Sequence, residues 1–140
     1  IGLASAINQS MPQYVVEMVQ EALNQRELSL KGAPILLLGV AYKKNVSDTR
    51  ESPAYEIYED LVKRGAKISY HDPFVPVRQT HHHKLKSIVL NASNLKKFAA
   101  VVIITNHDAI DYKALVKNSS LVIDTRNATR GIKAKNIKKL

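Results

Sequence analysis

The sequence predicts an α/β fold, a Rossmann-like three-layer domain with a mainly parallel sheet. Three observations lead there. Residues 34–40 and 100–105 are apolar without alternation, the pattern of strands buried on both faces. From Pro34 to His71 a strand, an amphipathic helix and a second strand follow one another. That is a βαβ unit, closed by a right-handed crossover. The helix is bracketed by its own punctuation, Ser52-Pro53 before it and Gly65 after it.

Each element has a local reason. Val15, Val19 and Leu23 share a helical face with Met11, Met18 and Ala22 alongside, which predicts a helix over 12–26 with Pro12 in its first turn. Leu30-Lys31-Gly32-Ala33 is a turn, and 34–40 is the first strand. Ser52 reads as an N-cap and Pro53 as the first helical position, with Ala54, Ile57, Tyr58, Leu61 and Val62 at amphipathic spacing behind them. A second strand over 67–71 closes at Asp72-Pro73. Residues 74–94 read as irregular, with a short strand at 87–90. A third buried strand covers 100–105, a short helix 109–117 with Asp108 as N-cap, and a last core strand 121–124. The first strand is expected in the centre, with the second on one side and the third on the other. Ligands of such sheets bind beyond the carboxyl ends of the strands, where strand order reverses. Those ends are Tyr42 and Lys43, His71 and Asp72, 105–107, and 125–127. The loop after the first strand and Arg126 should share one rim.

The bulk numbers narrow the class. At 140 residues with 45% hydrophobic content, the chain is long enough for one domain with a core. No apolar run reaches membrane-spanning length, so no membrane partner is expected. The start lacks the basic segment of a signal peptide, which points to a cytoplasmic setting, and Ile1 in place of a methionine suggests a piece of a longer chain. There is no cysteine, so disulfides, thiolate metal sites and a cysteine nucleophile are excluded within these 140 residues. The net charge of +9 favours an anionic ligand. Part of it lies in a C-terminal run, Lys133, Lys135, Lys138 and Lys139, which reads as a solvated tail.

The richest stretch runs from Gly39 to Pro53. It puts Lys43, Lys44 and Arg50 between a buried strand and a helix N-terminus, whose N–H groups and dipole favour anions. It is not a dinucleotide fingerprint, having one glycine where three are needed. Side chains would therefore have to hold a phosphate. Solvated loop charge is the alternative, and for Arg50 an ion pair with Asp48 or Glu51.

Six stretches in order resemble the C-terminal domain of the UDP-glucose/GDP-mannose dehydrogenase family. They are Asn8-Gln9-Ser10-Met11-Pro12, Gly39-Val40-Ala41-Tyr42-Lys43, Asp48-Thr49-Arg50-Glu51-Ser52-Pro53-Ala54, Tyr70-His71-Asp72-Pro73, Thr105-Asn106-His107 and Val122-Ile123-Asp124-Thr125-Arg126-Asn127. The resemblance implies NAD-dependent oxidation of a nucleotide sugar at C6, in two hydride transfers. The NAD domain and the catalytic cysteine would lie upstream of Ile1, so no catalytic residue is expected in this chain, and the chain alone should be inactive. Residues 1–31 would end a central helix that also serves a homodimer, and 32–140 would form the domain that binds the UDP-sugar. Tyr42 and Lys43 match the aromatic–lysine pair on the nucleotide sugar, Arg50 the arginine on the NAD pyrophosphate, and Arg126 a strand-end arginine of the substrate site. The Asp-Thr-Arg-Asn ending and residues 76–80 resemble the UDP-N-acetylhexosamine branch, and UDP-GlcNAc is the expected sugar, with UDP-glucose, UDP-ManNAc and GDP-mannose enzymes as alternatives.

Other candidates are weaker. His81-His82-His83 lacks zinc spacing and reads as loop, so no metal is expected. His71 and Asp72 are strand neighbours that face opposite sides, which favours a strand-end turn over a base–orienter pair. His107 lies at a strand end near the rim. A nucleic-acid module would need stacking aromatics, and the chain has only six Tyr and two Phe, so no nucleic acid is expected. A basic nucleic-acid-binding module and a purely structural one are the remaining alternatives.

Overall fold

The structure, a computed structural model, describes residues 2–41, 43–50, 52–80 and 84–140, with side chains from residue 11 onward. Ile1, Tyr42, Glu51 and the histidine triplet 81–83 lie outside the described residues. The expectation that the catalytic groups lie upstream of Ile1 therefore falls outside them too. In chain order the elements are α1 (Gly2–Gln25), β1 (Pro34–Leu38), α2 (Ala54–Lys63), β2 (Lys67–His71), β3 (Val77–Gln79), β4 (Lys84–Lys86), α3 (Ala92–Leu95), β5 (Ala100–Ile103), α4 (Tyr112–Asn118), β6 (Val122–Asp124) and β7 (Ile137–Lys139).

Five strands form one sheet in the order β2-β1-β5-β6-β7, every pairing parallel. β1 is central, flanked by β2 and β5 as expected, and strand order reverses between β1 and β5. Because side chains alternate along a strand, β1 serves two cores. Ile35 and Leu37 pack with α1 and α2, while Leu36 and Leu38 pack with α3 and α4. All four are buried, which explains why the strand has no polar face. Three layers result, and the sheet's carboxyl edge is left to loops.

Five local expectations are corrected. Pro12 lies inside α1 rather than in its first turn, since the helix runs back to Gly2. A proline interior to a helix removes one backbone bond. α2 starts at Ala54, with Pro53 at the cap position and Ser52 Oγ accepting from the Ala54 N–H at 3.2 Å. The cap of α4 is Asp111, which accepts from the Ala114 N–H, and not Asp108. Residues 74–94 are less irregular than expected, because β3 and β4 form an antiparallel ribbon and Ser87 bridges to Tyr70. Part of the lysine tail is a paired strand: β7, which holds Lys138 and Lys139, lies beside β6 with Val122 opposite Ile137, while Lys133 and Lys135 are exposed outside it. Ile137 packs inward while Lys138 and Lys139 face water, and charge on an edge strand discourages further pairing.

Among the described residues no helix is long and apolar enough to cross a membrane, and no cluster of three His, Asp or Glu could hold a metal ion.

Candidate functional site

The site forms over the carboxyl end of β1. Gly39 turns the chain there with φ +86°, and its amide donates to the His71 carbonyl at 2.8 Å. β2 and β5 flank β1, so the residues that follow them reach over this turn from both sides. From β2 comes Asp72, which is 1% exposed. Its Oδ2 accepts from the N–H groups of Val40 at 2.8 Å and Ala41 at 3.1 Å, and its Oδ1 from that of Phe74 at 2.8 Å. From the end of β5 comes Thr105, whose hydroxyl donates to the Ala41 carbonyl at 2.7 Å. His107 follows, fully buried, with Nε2 2.9 Å from Asp72 Oδ2 and Nδ1 2.7 Å from the Asn45 amide.

The pairing of Asp72 is therefore with His107, and not with its sequence neighbour. His71 turns away, with Nδ1 2.6 Å from the Ile88 carbonyl. His107 is inside the molecule rather than at the rim. The strand order contains the signal for this pair: residues ending the two strands that flank β1 must meet above it.

The loop then runs outward. Asn45 has φ +62°, and its side-chain amide pairs with Asp108 in both directions, donating to Oδ2 at 2.8 Å and accepting from the backbone N–H at 3.0 Å. An asparagine suits a left-handed position. Lys43, between the fixed points Ala41 and Asn45, is exposed. Lys44 is also exposed and pairs loosely with Asp108 at 3.9 Å, which fits its reading as solvated charge. Arg50 stands on the surface, its side chain 87% exposed, and its Nε and Nη2 donate to Asp48 at 3.1 and 2.9 Å. The guanidinium bonds and the Arg50 N–H together hold the Asp48 carboxyl down at about 2. Tyr42 lies outside the described residues.

Arg126 is placed by a second buried carboxylate. Asp124, 1% exposed at the end of β6, accepts from the N–H groups of Arg126 and Ala128 and from both the N–H and hydroxyl of Thr129. Burial pushes its pKa up, but these hydrogen bonds outweigh burial and leave it below the usual carboxylate range. Arg126 is exposed and lines a small recess with Met11, Pro12 and Pro53. On the other side of the same loop, Asn127 and Arg130 share a polar hollow of about 300 Å³ with Lys44 and Asp108. The loop after β1 and the Arg126 loop thus meet at one rim. A larger groove of about 610 Å³, mostly apolar, lies apart from Lys43 and Arg50, against α3 and α4.

Because the Asp124 pKa is depressed, its stabilisation is present above the ordinary carboxylate value and is lost as pH falls through the lower folded value. Asp124→Asn is expected to cost about 1–2 kcal/mol at neutral pH and to flatten the fall of Tm on acidification. Thermal melts of both proteins across the acidic range measure this.

The site is a rim of exposed charged side chains over the carboxyl edge of a parallel sheet, and the chain resembles known proteins. A profile described as "UDP-glucose/GDP-mannose dehydrogenase family, UDP binding domain" matches residues 36–131. UDP-N-acetyl-D-mannosamine dehydrogenase of Methanococcus vannielii is 28% identical over 89% of this chain and 29% of its own length. UDP-N-acetyl-D-glucosamine 6-dehydrogenase of Pseudomonas aeruginosa is 29% identical over 54% of this chain and 18% of its own. The solved structure of UDP-D-ManNAc dehydrogenase from Pyrococcus horikoshii superposes with a TM-score of 0.80 at 25% identity, covering 98% of this chain and 32% of that one. This chain spans less than a third of the length of these relatives. The family profile takes in the central strand, the loop that follows it and the Arg126 turn, so the chain belongs to the UDP-glucose/GDP-mannose dehydrogenase family, as its UDP binding domain.

Proposed function

We propose that this domain holds the nucleotide of a UDP-sugar within an NAD-dependent dehydrogenase that oxidises the sugar. The observation that carries this reading is the exposed Lys43, set between two backbone points fixed by buried side chains. A lysine offers a point charge and three donors to a diphosphate. In this reading Tyr42, next in the sequence, belongs to the nucleotide-sugar contact, and Arg126 completes the substrate site from the neighbouring loop. Residues 32–140 form the binding domain, and 1–31 end the central helix that joins it to the rest of the enzyme and to a second subunit.

NAD, when bound, accepts the hydride. The groups here suit only one edge of it. Arg50 presents an exposed guanidinium at the rim, and the single Gly39 turn is no cradle for a pyrophosphate. Arg50 therefore reaches the cofactor's pyrophosphate from across a cleft, with Asp48 orienting its fork of donors. The cysteine chemistry of the family has no residue here. Its place in this reading is upstream of Ile1, so the 140-residue chain by itself is expected to reduce no NAD.

The substrate is better read as UDP-ManNAc than as the UDP-GlcNAc expected from the sequence. Supporting this, the mannosamine dehydrogenase of M. vannielii aligns over 89% of the chain, against 54% and 72% for the glucosamine enzymes of P. aeruginosa and Salmonella typhi.

Titration calorimetry of this chain with UDP tests the binding role. Wild type is expected to bind, and Lys43→Ala to weaken binding by about 1.5–3 kcal/mol, about tenfold or more. Undiminished affinity in the variant would remove Lys43 from the site.

A further inference from the structure

We infer that Asp72 and His107 are positioning residues: together they fix the backbone at Val40, Ala41 and Asn45, on either side of Lys43, so that Lys43 is presented to the nucleotide. The inference rests on the binding role proposed above and extends it inward, to two buried side chains.

The hydrogen bonds give a direction to the pair. The Asn45 amide can only donate, so His107 Nδ1 must carry a lone pair. The ring proton then sits on Nε2 and is donated to Asp72 Oδ2, 2.9 Å away. The Asp72 carboxylate thus selects the tautomer, and the tautomer makes the acceptor that fixes Asn45. The same Oδ2 holds the amides of Val40 and Ala41. Loop positions 40, 41 and 45 are bound to one buried unit, and Lys43 lies between them. Phe74 closes the pair from outside, its ring centroid 4.9 Å from that of His107, and its own amide is held by Asp72 Oδ1. Stability alone gives little reason for such a pair, because apolar side chains of similar volume fill a buried space at least as well. Apart from their mutual contact, these carboxylate and imidazole bonds go to loop amides, so what they determine is the path of the loop.

Two substitutions separate the halves of the histidine. In His107→Asn the side-chain oxygen takes the place of Nδ1 and can still accept from Asn45. In His107→Gln the amide nitrogen takes the place of Nε2 and can still donate to Asp72, but Asn45 loses its acceptor. UDP affinity of His107→Gln is expected to fall about tenfold or more, and that of His107→Asn to stay within about threefold of wild type. Hydrogen exchange at the Asn45 amide should be faster in His107→Gln than in His107→Asn. Nitrogen-15 spectra of wild type should show the Nε2–H tautomer. Equal affinity and equal exchange in the two variants would overturn the inference, as would losses that follow Tm instead of the Asn45 acceptor, or an Nδ1–H tautomer. If wild type binds no UDP, the binding role fails, and the exchange comparison and the tautomer still decide whether the pair positions the loop.

Discussion

Asp72→Ala is expected to destabilise the domain by about 3–5 kcal/mol, because it leaves several buried donors without an acceptor. Four donors lose their acceptor at once: the amides of Val40, Ala41 and Phe74, and Nε2 of His107. Val40, Ala41 and His107 are buried, at 6%, 0% and 0% exposed, so water cannot simply replace the carboxylate. Each unsatisfied donor costs about 1–3 kcal/mol. The sum is an upper bound, because the loop can move to re-pair some of them. A domain of this size has about 5–15 kcal/mol in total, so the loss removes a large share. Urea unfolding of wild type and variant measures it. Asp60→Ala is the matched control, since the Asp60–Arg64 pair at 3.2 Å is partly exposed along one helix face and is worth about 0.3–0.5 kcal/mol. A cost for Asp72→Ala no greater than that would mean the carboxylate is not the keystone of the turn.

The same contrast between local and long-range bonds explains what is legible in the sequence. β1, α2 and β2 are readable because each states itself locally: an unbroken apolar run, a 3.6-residue period with a glycine stop, and a strand ending at Asp-Pro. The centrality of β1 follows from its having no polar face. The Asp72–His107 pair is not readable locally, because the partners are 35 residues apart and only the strand order brings them together. His71 sits beside Asp72 in the chain, but strand alternation sends the two side chains to opposite faces. The cap of α4 is obscured for a related reason. Asp108 and Asp111 are both plausible caps by residue type, and only the tertiary bond to Asn45 withdraws Asp108 from the helix. The β7 strand is hidden by its lysines. At a sheet edge they are a sensible composition, yet from sequence they look like a tail. The candidate binding residues themselves are legible as types at strand ends. Their support is legible only through the strand order, which brings its side chains together.

Gly39→Ala is expected to cost a further large amount, about 3–5 kcal/mol, and to weaken UDP binding as well. Two effects add. The φ of +86° lies in the left-handed region, where an L side chain costs about 1–2 kcal/mol. The new Cβ would also stand 2.5 Å from Thr105 Cβ, 2.6 Å from its carbonyl oxygen and 2.8 Å from its nitrogen. Two of those three atoms are backbone, so no rotamer change relieves the contact and the end of β1 must part from the end of β5. Thr105→Gly in the same chain should therefore restore little, since the oxygen and nitrogen remain. Gly32→Ala isolates the first effect: its φ is +81° and nothing lies within 4 Å of the added carbon, so about 1–2 kcal/mol is expected there. The difference between the two alanine variants in urea unfolding reports the close approach alone. It should be accompanied by a loss of UDP affinity in the Gly39 variant only, because displacing Gly39 also displaces Val40 and Ala41 from Asp72 and the Ala41 carbonyl from Thr105. Equal costs in the two variants, or an unchanged affinity in Gly39→Ala, would mean that the loop tolerates movement at its root and that Lys43 is positioned by something other than the strand ends beneath it.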